Sequence, residues 1–318
     1  MEVRKIQKTG GSTLVVSLPK IWCQNFNLKV GSKVSLNYSE KGGIILEPFD
    51  KARDEITSVI ELGEGNAEND MRMLIARYIQ GAKKIIIKTR SKSSLDEVLT
   101  KFMELTVGFE IIEEKGDEAI LEDIISLPTL TFEKTLRRMD TLVRSIVRES
   151  MERQKISKEY VFKKENEVDK FNLYITRLFN QSLKDYAVLQ LNKISSEEAL
   201  AYLLVSRILE RIADHGVRIY SLAEGDILNN SDLNKFVNQA IQVLEQAMEY
   251  YFKKDVEGAN RLISRKEYFR TERQSLNELL GDNKDGVRLE EMIEDAERIA
   301  FYSTDICELI IDYFQELK

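Results

Sequence analysis

Two acidic pairs in the C-terminal half of the chain have a spacing that can do chemistry. Glu165 and Asp169 lie four residues apart, as do Glu210 and Asp214. On a helix, four residues rise about 6 Å and turn just past one revolution, so each pair puts both carboxylates on one face. Two such faces turned together make an oxygen-rich cage suited to a hard cation or to iron. The chain has 54 acidic residues in 318, a density at which about nine such pairs arise by chance as solvated faces. Spacing alone therefore leaves both readings open. His215, directly after Asp214, reads either as a further ligand or as a structural histidine beside a packing face. A second cluster sits near the start, where Arg4, Lys5, Lys8 and Lys20 flank Thr9, Ser12, Thr13 and Ser17. Lysine and arginine neutralise phosphates and small hydroxyls donate to phosphate oxygens, so this set suits a nucleic-acid backbone or an ordinary solvated β surface.

Composition excludes several other chemistries. A single histidine rules out motifs that need two, and Cys23 and Cys307 alone cannot form a disulfide scaffold or a multi-cysteine zinc site. Gly10-Gly11-Ser12-Thr13 lacks the Lys-Ser/Thr ending of a phosphate loop and precedes a strand pattern. No run of 18 apolar residues occurs, and the N-terminus has no basic-then-apolar leader, so a cytoplasmic protein without a transmembrane span is expected. The net charge of −7 is uneven. Residues 1–49 hold seven basic residues against three glutamates, a net +4 that leaves −11 for the remainder. A small basic module is joined to a large acidic body.

The elements that must position these residues follow from glycine, proline and periodicity. All three prolines (Pro19, Pro48, Pro128) and ten of the fifteen glycines precede residue 129. Turn-rich structure is expected there and long helices after it. This places three domains at 1–48, 49–128 and 129–318. In the first, Val3–Ile6, Leu14–Leu18, Val34–Tyr38 and Ile44–Leu46 read as short strands, with a helix opened by Pro19 and a turn at Lys41-Gly42-Gly43. So few residues cannot bury that many β-branched side chains alone, and pairing with a second copy is expected. The second domain reads β-α-β-α-β-β: a strand in Glu55–Leu62, a helix over Ala67–Gln80, a strand at Lys84–Thr89, a helix over Leu95–Val107, and a hairpin turning at Lys115-Gly116-Asp117. The third reads as helices near 131–154, 157–192, 196–223, 233–254, 256–280 and 287–317, in two three-helix sets, 129–225 and 230–318. Glu210-Arg211-Ile212-Ala213 recurs as Glu297-Arg298-Ile299-Ala300, and Ile219 and Leu222 recur as Ile306 and Leu309 at the same offsets. This is a degenerate duplication.

Two family resemblances add to this reading. Arg4 to Thr13, then Val15-Val16-Ser17-Leu18-Pro19-Lys20 and Leu28-Lys29-Val30-Gly31-Ser32, resemble a SpoVT/AbrB domain. The resemblance implies an intertwined, swapped β-barrel of two copies that binds double-stranded DNA, with Arg4, Lys5, Lys8 and Thr13 as the contacts. Glu165-Asn166-Glu167-Val168-Asp169 and Leu209 to His215 resemble the acidic helix motifs of PhoU proteins. That implies a pair of three-helix bundles, a role in phosphate uptake, and a divalent or ferric ion (Fe, Zn or Mg) held by Glu165, Asp169, Glu210 and Asp214. The second repeat departs from the motif, since Glu297 is followed at i+4 by Phe301 and Glu267 by Thr271.

The expected molecule is multidomain and mainly α: an AbrB-like module, a small α+β domain and a PhoU-like helical body. The combination is similar to archaeal-type phosphate uptake regulators, which implies a non-enzymatic, homodimeric DNA-binding regulator of phosphate homeostasis. The alternative is a PhoU-type adaptor that contacts a phosphate transporter or sensor, with residues 1–48 serving dimerisation only. A helical metalloenzyme is a weaker third class, because no nucleophile–base pair is visible.

Overall fold

A computed structural model describes residues 2–38, 43–49, 57–63, 67–89, 92–125, 130–278 and 284–315. The chain divides into two compact units, Met1–Glu55 and Ile56–Lys318.

The first unit holds two hairpins and one short helix. Strands β1 (Gln7–Thr9) and β2 (Thr13–Val15) pair antiparallel around Gly10, whose φ of +62° suits the tight turn. Pro19 caps helix α1 (Lys20–Asn25), and strands β3 (Val34–Tyr38) and β4 (Ile44–Pro48) form the second antiparallel pair. Val3–Ile6, expected as a strand, is not one, because no strand of this chain is paired with it among the described residues. The expected turn at Lys41-Gly42 lies outside the described residues. None of the described side chains in this unit is buried. Val3, Ile6, Leu14 and Ile21 are 67–77% exposed.

The second unit begins with the β-α-β-α-β-β order the sequence predicts: β5 (Thr57–Glu61), α2 (Ala67–Ile79), β6 (Lys84–Lys88), α3 (Lys92–Leu105), β7 (Phe109–Lys115) and β8 (Glu118–Asp123). The start expected at Glu55 lies outside the described residues. The strands form one sheet in the order β5-β6-β8-β7, with β5 and β6 parallel and the other pairs antiparallel. Alternation sends Ile60, Ile85, Ile87, Ala119 and Leu121 to one face, where α2 and α3 cover them. Tyr78, Phe102 and Phe109 meet there edge-on at 5.6–6.2 Å, and each such pair adds about 0.5–1.5 kcal/mol beyond area burial.

The helical body follows as α4 (Phe132–Glu149), α5 (Lys158–Ser182), α6 (Ala187–Asn192), α7 (Ser196–Leu222), α8 (Ser231–Lys253), α9 (Val256–Ile263), α10 (Arg265–Asn277) and α11 (Lys284–Phe314). Their starts are chemically marked. Thr131 and Ser157 cap α4 and α5, Ser195 and Glu198 form a reciprocal capping box on α7, and Asn230 caps α8. Two predicted helices are broken. The 157–192 segment stops at Leu183 and restarts at Ala187, where the Asp185 carboxylate accepts from the Ala187 backbone N–H at 2.9 Å. The 256–280 segment divides at Ser264. Neither break uses glycine or proline, so the pattern hid both. The first predicted helix ends early, at Glu149 rather than 154. The breaks expected at Pro128 and Gly281-Asp282-Asn283 lie outside the described residues.

One apolar core runs through α4, α5 and α7 into α8, α9, α10 and α11. Helix α11 packs on α7 as well as on α8, α9 and α10, so the two repeats share that core. Gly216 on α7 lets α4 approach closely: a Cβ there would stand 2.9 Å from Ile146 Cγ2.

Candidate functional site

The four predicted carboxylates lie on α5 and α7, which pack against each other. Val168 and Ile175 on α5 and Val205, Leu209, Ile212 and Ala213 on α7 are fully buried. Asp169 follows Val168, Glu210 follows Leu209 and Asp214 follows Ala213. Each of these three carboxylates is thus about 100° of helix from a buried neighbour, at the margin of the helix–helix contact. Glu165, Asp169 and Glu210 are half-buried and Asp214 is exposed.

Burial raises all four carboxyls, and the charges of their neighbours add to this at Glu165, Asp169 and Glu210. Burial, then the negative charges of Glu165, Glu210 and Asp214, push the Asp169 carboxyl up to about 7. Glu165 is raised by burial and by Asp214 and Glu210. Glu210 is raised by burial and Asp214, against the pull of Arg211 and Arg207. Burial raises Asp214 while His215 opposes it. Among the described residues none of the four has a salt bridge, whereas Asp140 pairs with Arg144 and Glu149 with Lys164, each at 2.6 Å. A cluster of carboxylates without a direct ion pair has the chemistry of a hard-cation site. Its side chains are not gathered into one, for among the described residues no three His, Cys, Asp or Glu groups stand close enough to hold a metal ion.

His215 turns to another partner. Its Nδ1 lies 2.7 Å from Asp295 Oδ1 on α11, and its ring lies against Tyr302 at 5.6 Å. It ties the two repeats together. The second repeat also shows why its acidic face is lost. Glu297, the counterpart of Glu210, accepts from Arg273 Nη1 at 2.6 Å, and Arg270 stacks on Phe301 at 5.4 Å. Built-in guanidinium groups occupy the surroundings of the repeated motif.

At the other end, Lys5, Lys8 and Thr13 are exposed on or beside the β1–β2 hairpin, with Lys8 opposite Leu14. Arg4 donates to Ser17 Oγ at 3.1 Å and pairs with Glu2. Three cationic side chains and a hydroxyl thus share one small β unit in which no described side chain is buried.

The sequence did not point to Arg177. This α5 side chain is almost wholly buried and reaches the α+β domain, donating to Tyr78 O, Ala82 O and Asp123 Oδ2. An arginine between the apolar pairs Tyr174-Ile175 and Leu178-Phe179 was the available signal.

Comparison with known proteins locates two domains. Residues 7–54 match the family model described as antidote-toxin recognition MazE, bacterial antitoxin. Residues 133–223 match that of the PhoU domain, a span confined to the first repeat. No curated protein matches. The phosphate transport system regulatory protein PhoU from Streptococcus pneumoniae is similar at 17% identity and a TM-score of 0.49, over 58% of this chain and 96% of that one.

Proposed function

We propose that this chain, which carries a MazE/AbrB-type domain at its N-terminus and a PhoU domain at its C-terminus, is a DNA-binding transcriptional regulator of phosphate uptake. Both matched families are regulatory rather than enzymatic, and their pairing supports a role in phosphate regulation. The working division is residues 1–48 for DNA binding and dimerisation, 49–128 for the α+β domain, and 129–318 for the sensor body, in a cytoplasmic homodimer. No described helix is long and apolar enough to cross a membrane.

The observation that carries the reading is that no described side chain of the first unit is buried, while Lys5, Lys8 and Thr13 are exposed. A second copy would bury the apolar residues and double the +4 charge on one assembly. Duplex DNA then binds mainly through phosphates, with Arg4, Lys5, Lys8 and Thr13 as contacts. Glu165, Asp169, Glu210 and Asp214 would hold a divalent or ferric ion (Fe, Zn or Mg) once their side chains rotate together, and the ion would neutralise their mutual repulsion.

Titration of the full chain with duplex DNA at increasing salt tests this. Affinity should fall linearly on a log–log scale as counterions are released. Absence of DNA binding at low salt would instead favour the adaptor reading, with contact to a phosphate transporter or sensor.

A further inference from the structure

The α+β sheet has a second face that no part of the mechanism uses. Strand register places its outward residues in three rows across β5-β6-β8-β7. The middle row is Val59, Ile86, Ile120 and Glu113, with Ile112 beside it in a β-bulge. One flanking row is Thr57, Lys84, Glu122 and Glu110, and the other is Glu61, Lys88, Glu118 and Lys115. Val59 is 57% exposed and Ile112 54%. An apolar row is thus framed by two charged rows, in which Lys84 pairs with Glu122 at 2.8 Å and Lys88 with Glu118 at 3.6 Å. Helices α2 and α3 occupy the opposite face.

This pattern is self-complementary. A two-fold axis lying above the face, parallel to the strands and between β6 and β8, reverses the strand order and leaves each row in place. The β6 strand of one copy then covers β8 of the other. Ile86 meets Ile120, Lys84 meets Glu122, and Lys88 meets Glu118. At the edges Glu61 meets Lys115 and Val59 meets the Ile112–Glu113 bulge. Like charges are opposed nowhere, and each contact occurs twice, as an isologous interface requires. We propose that this face docks on the same face of a second copy, as an aligned sheet-on-sheet contact.

The contact is small. Four strands about 4.8 Å apart and about 17 Å long cover roughly 300 Å² per partner, against about 800 Å² for a stable interface. It therefore rests on the reading that chains already pair through residues 1–48, which raises the effective concentration of one face for the other.

The test uses the full chain with Cys23→Ser, carrying Val59→Cys and Glu113→Cys singly or together, under mild oxidation. Strands β5 and β7 are the two edges of the sheet, about 14 Å apart, too far for a disulfide within one chain. The double variant should run as a covalent dimer on a non-reducing gel, with neither single variant doing so. A double variant that stays unlinked while the unoxidised chain sediments as a dimer overturns the sheet contact and leaves the terminal pairing intact, freeing the face for a different protein. An unlinked chain that sediments as a monomer overturns both. Single variants that link as readily as the double overturn the register.

Discussion

Arg177 on α5 and Asp123 at the end of β8 form an ion pair at 2.7 Å with both side chains almost wholly out of water. The guanidinium also holds the carbonyls of Tyr78 and Ala82, and stacks on the rings of Tyr78 and Phe109 at 4.9 and 5.2 Å. Nearby, Asn180 donates to Ile79 O and Lys184 to Gln80 O, each from α5 or just beyond it. These carbonyls lie at and just beyond the C-terminus of α2, where the helix dipole is negative. Cationic and amide groups of the helical body thus complete a helix of the α+β domain.

Removing this arginine takes one of two cations from the buried Asp123 carboxylate, which keeps Lys83 at 2.7 Å, and a donor from the carbonyls of Tyr78 and Ala82. Arg177→Met should lower stability by about 1–3 kcal/mol, the cost of leaving buried acceptors without their donor, while Lys83 still meets the Asp123 charge. Calorimetry checks it, and an unchanged melting temperature would show that the junction contributes little.

The acidic face gives a pH signature with a definite sign. Asp169 has an ordinary value of 3.8 and is pushed up to about 7 when folded. Between those values the folded chain holds a proton that the unfolded chain has released. Stability therefore falls as pH rises from about 4 to about 7 and is flat beyond. Asp169→Asn removes this penalty, so its melting temperature should gain on the parent across that window, on the order of a few degrees. Melting curves of both proteins at pH 4, 6 and 8 decide it.

Divalent cation should offset the same repulsion. At pH 8, magnesium, zinc or ferrous ion should raise the melting temperature of the parent and a chelator should lower it, by RT ln(1 + [L]/Kd) in free-energy terms. Asp169→Asn/Asp214→Asn should abolish the response. A parent indifferent to all three ions and to chelator marks the cluster as a solvated face.

The second repeat is an internal control. Glu297 is buried and its charge is met by Arg273. Phe301→Asp alone should create no cation response, because the guanidinium already neutralises that face. Arg273→Met should destabilise the fold by about 3 kcal/mol by leaving Glu297 unpaired. A cation response from Phe301→Asp alone would sink this account.

DNA contacts can be counted from salt dependence. Each of Arg4→Ala, Lys5→Ala and Lys8→Ala should flatten the log–log slope by about 0.9 unit, while Thr13→Ala weakens binding without changing it. Fluorescence anisotropy with one duplex at four salt concentrations measures both.

Much of the architecture was legible because it is local. Proline and glycine placement divided turn-rich from helical chain, and alternation gave the β-α-β-α-β-β order. The breaks at Leu183–Tyr186 and Ser264 were not legible, because a helix can be interrupted by side-chain hydrogen bonds and packing without glycine or proline. The i, i+4 spacing placed each acidic pair on one face but could not orient one helix against the next. Tertiary packing alone decided that Glu165, Asp169, Glu210 and Asp214 repel one another, that His215 faces Asp295, and that Arg273 rather than a free cation meets Glu297. It also decided that Arg177 spans 54 residues of sequence to reach Asp123. Periodicity records which way a side chain points on its own helix, whereas a charge partner is set by where distant segments come to rest.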